Sequence, residues 1–211
     1  YIPSLKSFGL TLLAGAGVFA AIVGFASQQA FSNIISGIFL VIFKPFRVDD
    51  YLSIGDLHTG IVEDITLRHT VIRNFENSRI IIPNAIISSE TLVNSSISDE
   101  RICVFLELGI SYDSDVDKAI QIIREEVKLH PDYMDIRSQE EINEGKPGVI
   151  VRLIRLNESS VDLRAYVWAP NPLSAFSLKC DLFKSIKSRF TKEGIEIPFP
   201  HRTIVMKPRA E

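Results

Sequence analysis

From Leu10 to Phe43 the chain reads LTLLAGAGVFAAIVGFASQQAFSNIISGIFLVIF, without one charged side chain. An uncharged apolar run of this length marks a membrane segment. As one straight helix it would reach about 50 Å, at about 1.5 Å per residue, against a hydrocarbon core of about 30 Å. Its composition changes at Ser27, Gln28 and Gln29. Before them, Ala and Gly dominate. After them, Phe31, Ile34, Ile35, Ile38, Phe39 and Ile42 recur at helical spacing, while Ser32, Asn33, Ser36 and Gly37 gather on another side. The pattern predicts two helices with a break at the glutamines, the first spanning and the second amphipathic at the interface. Ala16, Ala20 and Gly24 lie four apart, as do Gly17 and Ala21. Such spacing lets backbones approach closely in lipid. It suits a ring of pore-lining helices or an ordinary Ala/Gly-rich membrane helix.

The run ends at Lys44-Pro45-Phe46-Arg47. Pro45 cannot continue a helix, and Lys44 and Arg47 place the remainder on the cytoplasmic side. From Tyr51 to about Ser98, YLSIG, TGIVEDI, HTVIRNF and RIIIP are short β-rich runs separated by turn residues. Asp56 to Thr59 fits a hairpin loop. Four to five strands so spaced predict a small barrel. RICVFLELGISY then reads as a strand, and Asp113-Ser114-Asp115 caps a helix that stops near His130-Pro131. Tyr133 to Gly148 reads as a loop. GVIVRLIRLNE and SSVDLRAYVWA predict a hairpin, Pro172 to Glu193 a second helix stopped by Gly194, and His201 to Met206 a last strand. The order β-α-β-β-α-β is the ferredoxin-like one. The expected class is a membrane helix plus α+β, in three parts: a membrane segment over 1–46, a β domain over 47–99 and an α/β domain over 100–211.

Composition narrows the function. The chain has 211 residues and a formal net charge of −3, so no global basic pull toward nucleic acid exists. It begins at Tyr1 and reads as a fragment, with no signal peptide. Cys103 and Cys180 sit in apolar periodic stretches and read as buried free thiols of a reducing compartment. His58, His69, His130 and His201 are scattered, with no nucleophile elbow, phosphate loop or zinc spacing beside them. No catalytic residue, metal or cofactor is expected. The rival to a channel is a membrane-tethered module that binds RNA or protein, since small barrels and ferredoxin-like folds do so elsewhere. The acidic balance and the lack of a visible aromatic-basic platform on the strands argue against RNA.

Several motifs together resemble the small-conductance mechanosensitive channel family (MscS-like). They are the Ala/Gly-rich helix, Gln28 to Gly37, Lys44-Pro45-Phe46-Arg47, Gly60-Ile61-Val62, Ile81-Ile82-Pro83-Asn84 and Tyr112-Asp113-Ser114-Asp115. The resemblance implies a homoheptamer in the cell (inner) membrane, multi-pass, with a kinked pore-lining helix, a Sm-like β barrel and a cytoplasmic C-terminal vestibule. It implies membrane lipid, permeating ions and small osmolytes as partners, and tension as the trigger. The last strands would gather into a small barrel. The family's first two membrane helices have no counterpart in this sequence. Ala21 and Phe25 stand where the best-known members carry a leucine pair at the constriction, so they are the candidate gate. Gly17, Ala20 and Gly24 are the candidate packing surface between pore helices. Gln28 and Gln29 are either a hinge, Gln29 standing where a glycine is often found, or hydrogen-bonding groups at a fixed bend. Asn33 is an inter-helix or capping contact, and Arg47 an interfacial anchor, a salt-bridge partner or a plain solvated cation. Asp49 replaces the Gly of a common Gly-Asp pair.

Overall fold

The computed structural model describes residues 3–55, 58–202 and 204. It divides into two compact units, the first ending at Ser98 and the second starting at Asp99.

The first unit begins with α1 (Pro3–Phe43), an unbroken helix of 41 residues. The two helices and the break expected at Gln28 and Gln29 are therefore corrected. Glutamine is a good helix former, and no proline interrupts the run before Pro45. The change of pattern there has another cause. Asn33, Gly37 and Leu40, one turn apart, are buried, whereas Phe31, Ile35, Phe39 and Ile42 are exposed. Asn33 and Gly37 therefore belong, with Leu40, to a packing face on the β domain and not to the wet face of an interfacial helix, while Ser32 stays exposed. Lys44 then turns left-handed (φ +48°), its N–H donating to Leu40 O at 3.0 Å.

Five strands follow: β1 (Tyr51–Ile54), β2 (His58–Ile65), β3 (His69–Arg73), β4 (Arg79–Pro83) and, after the short helix α2 (Asn84–Ser89), β5 (Leu92–Asn94). They form one antiparallel sheet in the order β4-β3-β2-β1-β5. The bend of the sheet is helped by a register shift between Val62 and Asp64 in β2. Period-two alternation turns Leu52, Ile54, Val62, Ile72 and Ile82 inward, where they meet Leu40, Phe46 and Ile87. Of the expected hairpin loop, Asp56 and Leu57 lie outside the described residues, and His58 and Thr59 already belong to β2.

The second unit runs β6 (Ile102–Ile110), α3 (Val116–Leu129), α4 (Gln139–Asn143), β7 (Ile150–Leu156), β8 (Val161–Ala169) and α5 (Pro172–Glu193). Its sheet order is β6-β8-β7, all antiparallel, the ferredoxin-like arrangement of these strands. Asp115 caps α3 by accepting from Lys118 N at 3.0 Å. Asn171 caps α5, and Gly194 stops it in a left-handed turn (φ +78°). Alternate residues of β8, from Val161 to Ala169, face a core shared with Ile122, Ile123 and Val127 of α3 and Leu178, Leu182, Ile186 and Phe190 of α5.

Three further expectations change. The loop over Tyr133 to Gly148 contains α4, held by a capping box between Ser138 and Glu141. The thiols are free, but Cys180 is exposed on α5 and Cys103 only partly buried, because each lies off the inward stripe of its element. Of the last expected strand, His201, Arg202 and Ile204 lie in no regular element, and its other residues lie outside the described ones.

Phe190 is fully buried at the centre of the second unit. Phe190→Ala is expected to lower its unfolding free energy by about 3–5 kcal/mol. Denaturant unfolding followed by Trp168 fluorescence measures this, since Trp168 is the chain's one tryptophan and lies in β8.

Candidate functional site

The long helix carries two different surfaces. One holds it to the β domain; the other is uncovered. The seat is built from a few polar groups that close packing forces into contact. Gly37 lies so near the β2–β3 turn that a Cβ placed there would sit 2.3 Å from Leu67 O and 2.6 Å from Asn84 Nδ2. Only glycine fits. One turn before it, Asn33 is 6% exposed. Its Oδ1 accepts from Ala85 N, at the start of α2, at 3.0 Å. Its Nδ2 donates back to Gln29 O at 2.9 Å. The Asn33 side chain thus supplies a partner to a helix N-terminal amide that α2 itself leaves unbonded.

Asn84 completes the seat from below. It is fully buried and partnered at both ends of its amide: Nδ2 donates to Thr66 O at 2.8 Å, and Oδ1 accepts from buried Thr70 Oγ1 at 3.0 Å. Its own N–H donates to Arg68 O at 3.0 Å. Thr66 Oγ1 closes the same turn, donating to His69 O at 2.7 Å. The Asn33, Thr70 and Asn84 side chains buried here are partnered, whereas His69 Nδ1 is buried without a hydrogen-bond partner among the described residues.

Below the helix, the link to β1 is a second locked turn. Phe46 is 1% exposed, plugged into the β core. Asp50 Oδ2 accepts from Arg47 N and from Asn94 Nδ2, each at 2.8 Å. Asp49 holds φ at +74°, a conformation glycine adopts without strain. The Arg47 side chain is exposed and forms no ion pair among the described residues.

The uncovered surface holds the other residues singled out from the sequence. Ala21, Gly24, Phe25 and Gln28 line one open groove along α1, continued by Ser32, Ile35 and Phe39. Phe25 is 78% exposed. A Cβ added at Gly17 or Gly24 would meet nothing within 4 Å. Ala20 is exposed beside them. Gln28 and Gln29 lie within the continuous helix. Asn84, Thr70 and the Leu67 carbonyl were missed as partners of the helix. Pro83-Asn84 reads as a turn in sequence, and only the fold brings Asn84 under Gly37.

The stretch Phe8–Phe43 is the one helix among the described residues long and apolar enough to cross a membrane. A helix able to span a membrane, seated through Asn33, Gly37 and Leu40 on a five-stranded sheet and followed in the chain by a ferredoxin-like domain, is the architecture of a membrane protein with a large part outside the bilayer. Residues 29–97 match the family described as mechanosensitive ion channel, beta-domain, and residues 104–197 the one described as mechanosensitive ion channel MscS, C-terminal. An uncharacterised MscS family protein of Archaeoglobus fulgidus is 32% identical over 97% of this chain and 69% of its own length. The small-conductance mechanosensitive channel MscMJ of Methanocaldococcus jannaschii is 31% identical over 98% of this chain, which spans 57% of that relative. The closed-state crystal structure of Helicobacter pylori MscS shares the fold, with a TM-score of 0.82 at 22% identity, over 94% of this chain and 74% of that one. The chain belongs to the MscS family of mechanosensitive ion channels. The members of that family are ion channels rather than enzymes, and they are oligomers in the membrane.

Asn33→Ala is expected to leave the Ala85 N–H without its partner and to destabilise the first unit by about 1–3 kcal/mol. Faster hydrogen exchange at the Ala85 amide than in the parent protein checks it.

Proposed function

We propose that seven copies of this chain surround a pore lined by the first part of α1, which opens when membrane tension spreads the helices. The observation that carries this reading is the uncovered face of α1. Apolar surface left in water is unfavourable by about 25 cal/mol per Å². Phe25 and its groove therefore need cover, and neighbouring copies and lipid supply it. A charged or strongly polar lining would conduct in any state. A short apolar ring instead dewets, and an ion at it loses its hydration shell. In this reading Phe25 forms that ring, with Ala21 one turn above. Gly17, Ala20 and Gly24 are the surfaces on which neighbouring helices slide.

The two surfaces of α1 divide the work. Below Gln28 and Gln29 the helix is clamped to the β domain through Asn33 and Gly37. Above them Phe19, Ile22 and Phe25 are exposed. A change of tilt would therefore concentrate at the glutamines, whose amides can take up the one or two backbone groups a bend sets free. Arg47, at the foot of the helix, anchors it at the headgroups. The channel then sits in the cell (inner) membrane beside further membrane helices, with the β and α/β domains in the cytoplasm. It releases ions and small osmolytes on osmotic downshock. Tension favours the wider packing in proportion to its added area, a shift between two populations.

Reconstitution of the full-length protein in liposomes, with stepped suction on excised patches, tests the proposal. Currents should appear above a tension threshold. Phe25→Ser is expected to wet the constriction, giving a leak or a lower threshold; an unchanged threshold with no leak removes Phe25 from the gate. Gly24→Val should hinder tight closure, and unaltered gating in that variant sinks the sliding surface.

A further inference from the structure

The second unit contains a cavity of about 380 Å³ that the channel reading does not use. It lies where the segment from Ile136 to Gly148 borders the ends of β7 and β8. This volume falls in the range of small-ligand pockets. One side is aromatic: Tyr166 and Trp168 point away from the core, on the face of β8 opposite Leu163 and Val167. Facing them are Arg124 from α3 and Arg152 from β7.

The state of these cations decides what the cavity can take. Arg137, also in the lining, is committed. It bonds Asp135 through Nε at 2.9 Å and holds that carboxyl below its ordinary range. Lys146 is committed as well, 2.9 Å from Glu144 and 3.7 Å from Glu141, the one carboxylate in the lining, whose charge Lys146 offsets. Arg124 and Arg152 have no carboxylate partner among the described residues. Arg124 only donates its Nε to Val149 O, at 3.2 Å, which orients the guanidinium and leaves its terminal nitrogens uncommitted. Two such forks beside an aromatic wall match a ligand with a phosphate at one end and a flat ring at the other. Arginine binds phosphate in a bidentate way, and bases stack on aromatic side chains.

Hydrogen bonds tie the walls together. Tyr133 Oη donates to Gly148 O at 2.9 Å, Arg137 bonds Lys146 O, and the α4 capping box fixes the segment between them. The surroundings favour a single nucleotide over a strand. The neighbouring cation on the same sheet face, Arg164, is engaged by Glu107 and stacks over Phe105, so it offers no phosphate track leading out. The formal net charge of −3 points the same way. β8 does carry Arg164, Tyr166 and Trp168 on one face, an aromatic-basic set that the strand sequence did not reveal as a platform.

We propose that this cavity binds a nucleoside monophosphate, with the base against Trp168 and the phosphate held by Arg124 and Arg152. Trp168 is the chain's one tryptophan, so its fluorescence reports occupancy directly. Titration of the full chain in detergent with AMP should quench that fluorescence saturably, and equilibrium dialysis with labelled AMP should give the same affinity. Adenosine and inorganic phosphate, each holding half the chemistry, should bind more weakly than AMP. Arg124→Gln with Arg152→Gln should weaken AMP about tenfold or more. The exposed Arg152→Gln alone, with a smaller loss in the same direction, serves if the double variant misfolds. Dialysis showing no AMP bound, affinity unchanged in these variants, or inorganic phosphate binding as tightly as AMP overturns the site. A single-stranded oligoadenylate that outbinds AMP through the same arginines overturns it too, in favour of a strand platform.

Discussion

The structure depends on one close approach. Gly37 brings the backbone of a long apolar helix against a carbonyl of the β2–β3 turn, and the contact admits no side chain. The approach buries polar groups that need partners, and Asn33 and Asn84 supply them. An unpaired buried amide is unfavourable by about 1–3 kcal/mol, so the two asparagines and the glycine work as a unit. The consequence is mechanical. The lower half of α1 is seated on the β domain through Asn33, Gly37 and Leu40, while the side chains of Phe19, Ile22 and Phe25 in its upper half are exposed.

That division explains an otherwise awkward surface. Phe25, Ile35 and Phe39 are exposed on a helix that buries the amide of Asn33, the reverse of an ordinary surface helix, although Gln28, Gln29 and Ser32 are exposed as well. In a lone water-soluble chain this inversion would aggregate. On a membrane-spanning helix it is the expected arrangement, because hydrocarbon accepts outward apolar side chains while the amide of Asn33 finds its partners in protein.

The second unit is held by different means. Its core is a cluster of apolar side chains, the inward residues of β8 between α3 and α5; Ser111 is the one buried polar residue among the described residues of this unit. Its polar chemistry lies outside the core. Arg189 gathers Glu125, Glu126 and Glu193 across α3 and α5. Such solvent-screened pairs contribute little each, and they link the outer faces of the two helices. Arg124 on the same helix is left out of that network and turns toward the cavity instead.

The sequence alone determined the elements set by local periodicity and by caps. The uncharged run from Leu10, the strands of the β domain, and α5 with its Asn171 cap and Gly194 stop were legible because each is decided within a few residues. The family was legible from motifs in order along the chain. What the helix beyond Gln29 packs against was not. Amphipathicity says that two sides differ, not which one meets protein, and a spanning helix that docks by its polar side reads like an interfacial one. The roles of Asn84 and Thr70 under Gly37, and the meeting of Arg124, Arg152 and Trp168, join residues far apart in the chain. Only tertiary structure decided these, because distance along the sequence carries no record of which burials must be satisfied together.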